Sequence, residues 1–378
     1  MKTIIDTKKT PWIAIWETTQ ACDIACLDYG DWFPSEPSPL ELTTQEGEQL
    51  LREVSELQPR IFVFAGADPL KRHDIYQLVR YAADRGLHPI LNVRATPRLT
   101  RDAIFDLKKA GLSRLSFTFD GSTAELHDLI AGVYGSFERT IEATQWAEDA
   151  RLPFQITTQV GERNIHDLEN LGALLKPFRI AQWNVVFPVP ARPGQLEELP
   201  SAGQFEEAFA LLYKIAQQIP FKIKTTEAPH YRRYVLQQQA QARAEGPGHL
   251  PQFEEGIPGI LPVNEERATM FIAHTGEVYP CASLPIVAGN VRRQKLGEIY
   301  RGSKVLDSLH DVGNLKGKCS TCGFKQVCGG SRARALAVNK DVFMEDPACI
   351  YHPPQPTRVR TGAPEKLPPV KIAVDSLD

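Results

Sequence analysis

The sequence predicts an α/β protein built around a parallel sheet, and three observations carry that prediction. Between about residues 11 and 239, short β-rich runs alternate with amphipathic helical stretches. The runs are rich in Val, Ile, Phe and Trp and look buried. Helix punctuation falls between them, with Thr43 or Thr44 beside Glu46 or Glu48 as a start and Gly86 and Gly111 as stops. Such alternation means parallel strands joined by right-handed crossovers. Six or more such units form an open sheet or a full or partial barrel, and in each case ligands gather at the carboxyl ends of the strands.

In chain order, the strand candidates are residues 12–16, 61–65, 89–93, 114–119, 154–160, 182–187 and 221–224. The helical patterns between them cover 43–57, 74–85, 100–110, 137–150, 165–175 and 203–218. Residues 11–239 therefore read as one barrel-type unit. A Gly/Pro-rich stretch over 240–267 (Glu245-Gly-Pro-Gly-His, Gly256-Ile-Pro-Gly) reads as a linker. A hairpin follows, with strands at 269–273 and 277–281 around a His274-Thr-Gly276 turn, and it opens a Cys-rich module over 268–352. Residues 353–378 are Pro-rich and aperiodic and read as a disordered tail.

Composition narrows the function classes. A net charge of −3 over 378 residues, with no basic stripe, gives no electrostatic reason to expect nucleic acid. No apolar run approaches the roughly 20 residues of a membrane span, and the N-terminus lacks the apolar segment of a secretory signal. The expected localisation is cytoplasmic. Seven cysteines are an odd number for a disulfide set, and five of them follow position 280. In a cytosolic chain that crowding reads as metal ligation.

Cys319-x2-Cys322-x5-Cys328, with Cys349 beyond, is the strongest metal signal. Four thiolates from short loops suit a tetrahedral zinc or a cubane iron–sulfur cluster, and CxxC alone does not separate the two. In either case so small and loop-rich a module depends on its metal for stability. Cys281 reads as a small buried hydrophobe or as a fifth ligand candidate. Near the N-terminus, Cys22-Asp-Ile-Ala-Cys26-Leu-Asp-Tyr29 follows the first strand and is two thirds of a CxxxCxxC loop, with tyrosine at the third position.

Together with Ala65-Gly-Ala67-Asp68-Pro69-Leu70, Asp120-Gly121 and Gly276-Glu-Val-Tyr-Pro-Cys281, these motifs make the chain resemble the radical SAM/SPASM-domain family from about Trp12 to Tyr351. The stretch from Lys224 to Arg233 places it nearest the heme-maturation and peptide-modifying branch. The resemblance implies a partial (β/α)6 barrel followed by a SPASM/twitch-like module. In such enzymes a [4Fe-4S] cluster with one open iron binds S-adenosylmethionine, and a 5′-deoxyadenosyl radical abstracts a substrate hydrogen. Carried over residue by residue, Cys22 and Cys26 match the first cluster's ligands. Gly66, Ala67, Asp68, Arg94 and Asp120 fall at the S-adenosylmethionine site. Cys319, Cys322, Cys328 and Cys349 match the second auxiliary cluster. The first auxiliary cluster is not expected, because only Cys281 remains of its set and Arg332 stands where the full pattern has cysteine. His230, Arg232 and Arg233 are candidates for binding substrate carboxylates, against a solvated helix face as the plainer reading, and Glu227 with His230 for acid–base work.

Four departures fall on one site. Tyr29 replaces the third cysteine, and a phenolate, with a pKa near 10, prefers harder iron than a sulfide cluster offers. Asp28 is an oxygen-ligand candidate there. Ala67 adds a methyl to the family's glycine pair, costing about 1–2 kcal/mol if that residue needs positive φ. Arg94 stands where a serine at the fourth-strand end faces the adenosyl group, so its guanidinium fills the pocket or takes an anionic partner, Asp68 or Asp128. Ala131-Gly132 replaces Arg-Gly and removes a carboxylate clamp. The expectation is a family member impaired in or lacking S-adenosylmethionine cleavage. It keeps one auxiliary [4Fe-4S] cluster for electron transfer or for binding a substrate or partner, namely a peptide or tetrapyrrole and a redox partner. These departures count against a second [4Fe-4S] cluster and against S-adenosylmethionine. The alternatives are an active radical SAM enzyme acting on a peptide or tetrapyrrole, and structural zinc in the C-terminal module.

Overall fold

Alternating apolar residues build the strands, and helices cover one face of them. The computed structural model describes residues 6–23, 34–190, 199–245 and 267–354. Seven strands run parallel in chain order: β1 (Ile13–Glu17), β2 (Ile61–Ala65), β3 (Pro89–Val93), β4 (Arg114–Thr118), β5 (Phe154–Gln159), β6 (Gln182–Val186) and β7 (Lys222–Thr226). The crossovers carry α1 (Thr44–Leu57), α2 (Ile75–Asp84), α3 (Arg101–Lys109), α4 (Ala124–Ala131) with α5 (Ser136–Asp149), α6 (Leu168–Leu175) and α7 (Ala202–Ala216). After β7 comes α8 (His230–Glu245). This is a partial barrel of six β/α units with a seventh parallel strand.

The Cys-rich module is not detached from it. Strands β8 (Thr269–Ile272), β9 (Glu277–Tyr279) and β10 (Gly289–Asn290) extend the same sheet, in the order β10-β9-β8-β1-β2-β3-β4-β5-β6-β7. β8 pairs parallel with β1, Ile13 opposite Thr269, and the β8–β9 hairpin is antiparallel. The remaining helices are α9 (Leu296–Gly302), α10 (Lys304–His310), α11 (Gly317–Thr321) and α12 (Arg332–Asn339).

Trp16, Phe64, Phe117, Ile156 and Trp183 point from the strands into one continuous core against Leu50, Leu78, Leu107, Leu171 and Phe209 from the helices. Fully burying a side chain of this size contributes roughly 1.5–3 kcal/mol. The intervening strand residues form the concave inner face, which is only half-buried on β5, β6 and β7. The strands are therefore not apolar on both sides, unlike most parallel strands.

Several boundaries differ from the sequence reading. The break read at 239 falls inside α8, whose turns continue to Glu245. Helix α4 was not expected, because eight residues give too little periodicity. Of the linker read over 240–267, residues 246–266 lie outside the described residues, as do 355–378 of the tail. Among the described residues no helix is long and apolar enough to cross a membrane.

Candidate functional site

The C-terminal cysteines come together. Cys319, at the centre of α11, Cys322 just past its end, Cys328 and Cys349 all line one pocket that is open to solvent. The rest of its wall includes Arg233, Lys318, Lys325, Gly330 and Tyr351, three cations and no carboxylate. Burial pushes the thiols of Cys319, Cys328 and Cys349 up, and the Gly330 N–H, 3.4 Å from the Cys328 Sγ, opposes that for Cys328. Such thiols ionise when a metal faces them. Among the described residues no three Cys, His, Asp or Glu side chains converge as a single ion requires. Four thiols around a pocket lined by cations fit an anionic group such as a [4Fe-4S] cluster.

A buried ion pair, missed in the sequence, shapes the loops that carry these cysteines. Arg334 on α12 holds Asp346 at 3.1 and 2.9 Å, and Asp346 also accepts from the Ser331 and Ala348 amides. Burial would raise the Asp346 pKa, but Arg334 and these amides bring it down to about 2. Arg334 continues across to the barrel and donates to the Glu227 and Pro188 carbonyls. Glu227 itself, at φ +57°, accepts from Ser331 Oγ at 2.7 Å and lies 3.5 Å from Cys281 Sγ. The only available signal was two arginines, 332 and 334, in an otherwise small apolar helix.

Arg332, at the position of the absent cysteine, is buried and donates to the Gly330, Val342 and Met344 carbonyls. Cys281 packs with Leu284, Leu309 and Ala333. Among the described residues all the cysteines are free thiols.

At the barrel mouth, the loop after β1 meets the loop after β2. The Thr18 amide continues the strand pairing to Ala65 O, Ala67 N donates to Thr19 O and Asp68 N to Ala21 O. Gly66 has φ +137°, and a Cβ there would run into the Thr19 carbonyl. Ala67 has no such φ and its methyl is buried, so the strain foreseen for it does not arise. Asp68 is fully buried; burial raises its pKa, partly offset by hydrogen bonds from Thr96 Oγ1 and the Leu70 amide. Asp120, two residues past the end of β4, accepts from the Gln159 amide, while its own amide donates to His127 Nδ1. Arg94 follows β3, not a fourth strand, which corrects the placement read from the motif. Its candidate partner Asp128 accepts from Gly135 N, Ser136 Oγ and Phe137 N, and so ties α4 to α5. Ala131 closes α4, with Gly132 as its left-handed cap. Cys22 is buried beside this mouth, and Asp23 binds Lys71 and Arg98. Cys26, Asp28 and Tyr29 lie outside the described residues.

The substrate candidates on α8 are neither a solvated face nor an open trio. His230 is fully buried between Phe205 and Phe209, with both ring nitrogens out of contact with solvent. Burial pushes its pKa down to about 3, so it is neutral. Its Nδ1 is 3.7 Å from Asp346, and the acid–base partner proposed for it, Glu227, is engaged with Ser331. Arg232 donates to Val327 O, and Arg233 makes a two-pronged ion pair with Glu206 at 2.6 Å while bordering the cysteine pocket.

Comparison with known proteins places these features in context. Residues 18–175 match the radical SAM superfamily and residues 264–323 an iron–sulfur cluster-binding domain. The chain is 34% identical over 343 residues to an AdoMet-dependent heme synthase of Methanosarcina barkeri, covering 91% of this chain and 97% of that one. It is 24% identical to a PqqA peptide cyclase of Rhodopseudomonas palustris, over 93% and 89% of the two chains. Among solved structures, SuiB of Streptococcus suis bound to S-adenosylmethionine superposes with a TM-score of 0.68 at 13% identity, over 91% of this chain and 78% of that one.

Proposed function

Because the chain belongs to the radical SAM family and carries a C-terminal SPASM iron–sulfur module, we propose that it holds one auxiliary [4Fe-4S] cluster and lacks reductive cleavage of S-adenosylmethionine. The observation that carries this reading is the pocket in which Cys319, Cys322, Cys328 and Cys349 meet three cations and no carboxylate. When bound there, the cluster supplies a one-electron couple. Cys319, Cys322, Cys328 and Cys349 would hold it, Gly330 N–H donates toward one sulfur, and Arg233, Lys318 and Lys325 offset its negative charge. At the other site, Cys22 and Cys26 are two thiolates where a cluster with one open iron needs three, and Tyr29 does not supply the third. A member of this kind binds its peptide or tetrapyrrole ligand and passes or stores an electron near it, in a redox partnership with a carrier.

A second reading, an active enzyme on a peptide or tetrapyrrole, is favoured by one observation. The backbone of Gly66, Ala67 and Asp68 against Thr19 and Ala21 is intact and unstrained by the Ala67 methyl. The two readings part in one experiment. Anaerobic reconstitution is expected to give about four irons and four sulfides per chain, as one cubane requires, and no 5′-deoxyadenosine above a protein-free control. About eight irons overturns the single-cluster reading, and zinc without sulfide overturns the iron assignment. 5′-Deoxyadenosine formed from S-adenosylmethionine and a reductant establishes the active enzyme instead. Restoring the thiolate with Tyr29→Cys should raise the iron content toward two cubanes.

A further inference from the structure

The inner face of the barrel is chemically divided. On β8, β1 and β2 it presents Phe271, Ile13, Ile15, Ile61 and Val63. Beyond β3 it turns polar. Asn92, Ser116 and Gln155 lie in register across β3, β4 and β5, and Asn184 pairs with Lys224 across β6 and β7. The opposite face of the same strands is the largely apolar core, so the polar side faces inward. Asn92 is exposed although its strand is interior to the sheet, and Gln155, Asn184 and Lys224 are half-buried, so this face is open.

Within this polar half Arg114 stands out. It opens β4, at the strand end away from the loops that carry Gly66 and Arg94, and thus apart from the cofactor site. Its hydrogen-bond partner is a neutral amide, Gln155 Oε1 at 3.2 Å, and among the described residues no carboxylate acts on it. Burial lowers its pKa with no carboxylate to offset the effect. A guanidinium remains charged under these conditions, and a partly desolvated charge without a counterion is costly. Gln155 in turn donates to Ser116 Oγ, which shares a hydrogen bond with Thr157, so the amide is held with its oxygen toward Arg114. That fixes the guanidinium and leaves further N–H donors for an incoming acceptor. Two parallel N–H donors match a carboxylate.

We propose that the inner face of the barrel is a carboxylate-binding trough, in which Arg114 takes an anionic group of a ligand whose apolar body lies on the Ile13–Val63 side, with Lys224 as a second cation on the same face. The trough takes over the role expected of His230, Arg232 and Arg233, which are engaged inside the fold. The proposal rests on the barrel binding a ligand, as in the function proposed above, but not on the fate of the first cluster site. Its readout is binding alone, so it stands or falls separately from iron content and S-adenosylmethionine cleavage.

The test is equilibrium dialysis with the reconstituted full-length protein under anaerobic conditions. Three probes are compared: a free-base porphyrin bearing four propionates, its neutral tetraamide, and a glutamate-rich decapeptide. The tetra-acid is expected to bind, and the tetraamide to bind about tenfold more weakly or worse, the loss expected for one charge-assisted contact. Arg114→Gln should weaken the tetra-acid by a similar factor and leave the tetraamide unchanged; Arg114→Lys should recover part of the loss, and Lys224→Gln should give a smaller one. Far-ultraviolet circular dichroism and iron content confirm that each variant is folded and loaded. Equal binding of acid and amide, or no effect of Arg114→Gln in a folded variant, overturns the proposal. Arg114-dependent binding of the decapeptide equal to that of the porphyrin overturns the apolar-body assignment. Should Arg114→Gln not fold, Arg114→Lys and Lys224→Gln carry the same test, and unchanged affinity for the tetra-acid in both overturns the proposal.

Discussion

At the residue scale, neighbouring positions at the barrel mouth have opposite tolerances. Gly66 sits at φ +137° against the Thr19 carbonyl, whereas Ala67, one residue on, has an ordinary φ. Gly66→Ala is therefore expected to destabilise the protein by about 2 kcal/mol or more, combining backbone strain with a backbone clash. Ala67→Gly should cost less than about 1 kcal/mol. Urea denaturation of the two variants checks the ranking, and equal losses would contradict it. A second prediction concerns pH. Burial holds the His127 pKa down to about 4, against about 6.5 in an unfolded chain. Between these values the unfolded chain takes up the proton first, so stability present above pH 6.5 is lost as pH falls to 4, by at most about 1.4 kcal/mol per pH unit. Denaturation midpoints at pH 7, 6 and 5 should fall, and His127→Gln should flatten part of that slope. An unchanged slope in the variant would place the pH dependence elsewhere.

At the element scale, α1 shows how the module is bound to the barrel. Thr43 and Glu46 form the capping box anticipated at its start. Glu46 does further work that the sequence did not announce. Arg292, from the loop after β10, grips its carboxylate at 2.7 and 3.0 Å and also donates to the Leu40, Glu41 and Thr275 carbonyls. Arg292→Ala should lower stability by about 1 kcal/mol, since both side chains remain partly in water, and should raise amide exchange in α1's first turn and in the β8–β9 hairpin together. Exchange confined to one of them would mean that the pair does not couple the two. The strands were legible because their outer faces repeat every second residue with Phe, Ile, Trp and Val. The polar inner face was not, because residues such as Gln155 and Asn184 read as interruptions of an apolar run until the register aligns them. Strand β7, Lys-Ile-Lys-Thr-Thr, was mis-bounded for the same reason.

At the scale of the whole molecule, the four C-terminal cysteines were readable from spacing alone, since short loops bring them together. The groups around them were not, because Arg334 and Asp346, or Arg233 and Glu206, meet across segments that have no common period. These pairs are internal to the fold, so breaking one leaves a buried charge, whereas a cluster ligand affects only its own loops. Cys328→Ser is expected to abolish iron loading of the C-terminal site and to open residues 315–350 to limited proteolysis, while fragments of the barrel stay intact. Arg334→Ala should instead cost about 3–5 kcal/mol and loosen both regions, because it also holds the Glu227 and Pro188 carbonyls. If both variants gave the same proteolytic pattern, the module and barrel would unfold as one unit.

The pairing of β8 with β1 has a consequence for how the chain is made. β1 leaves the ribosome well before its outer neighbour, which lies about 250 residues later, roughly ten to fifty seconds of synthesis at about 5–20 residues per second. Thr7 waits longer still, for the Tyr300 hydroxyl and His310 ring that cap its carbonyl. For that interval the nascent barrel carries an open strand edge with Ile13 and Ile15 beside it, a template for pairing with another nascent chain. The last third of the polypeptide therefore works as a seal on the first, and production of the protein depends on keeping that edge guarded until the hairpin arrives.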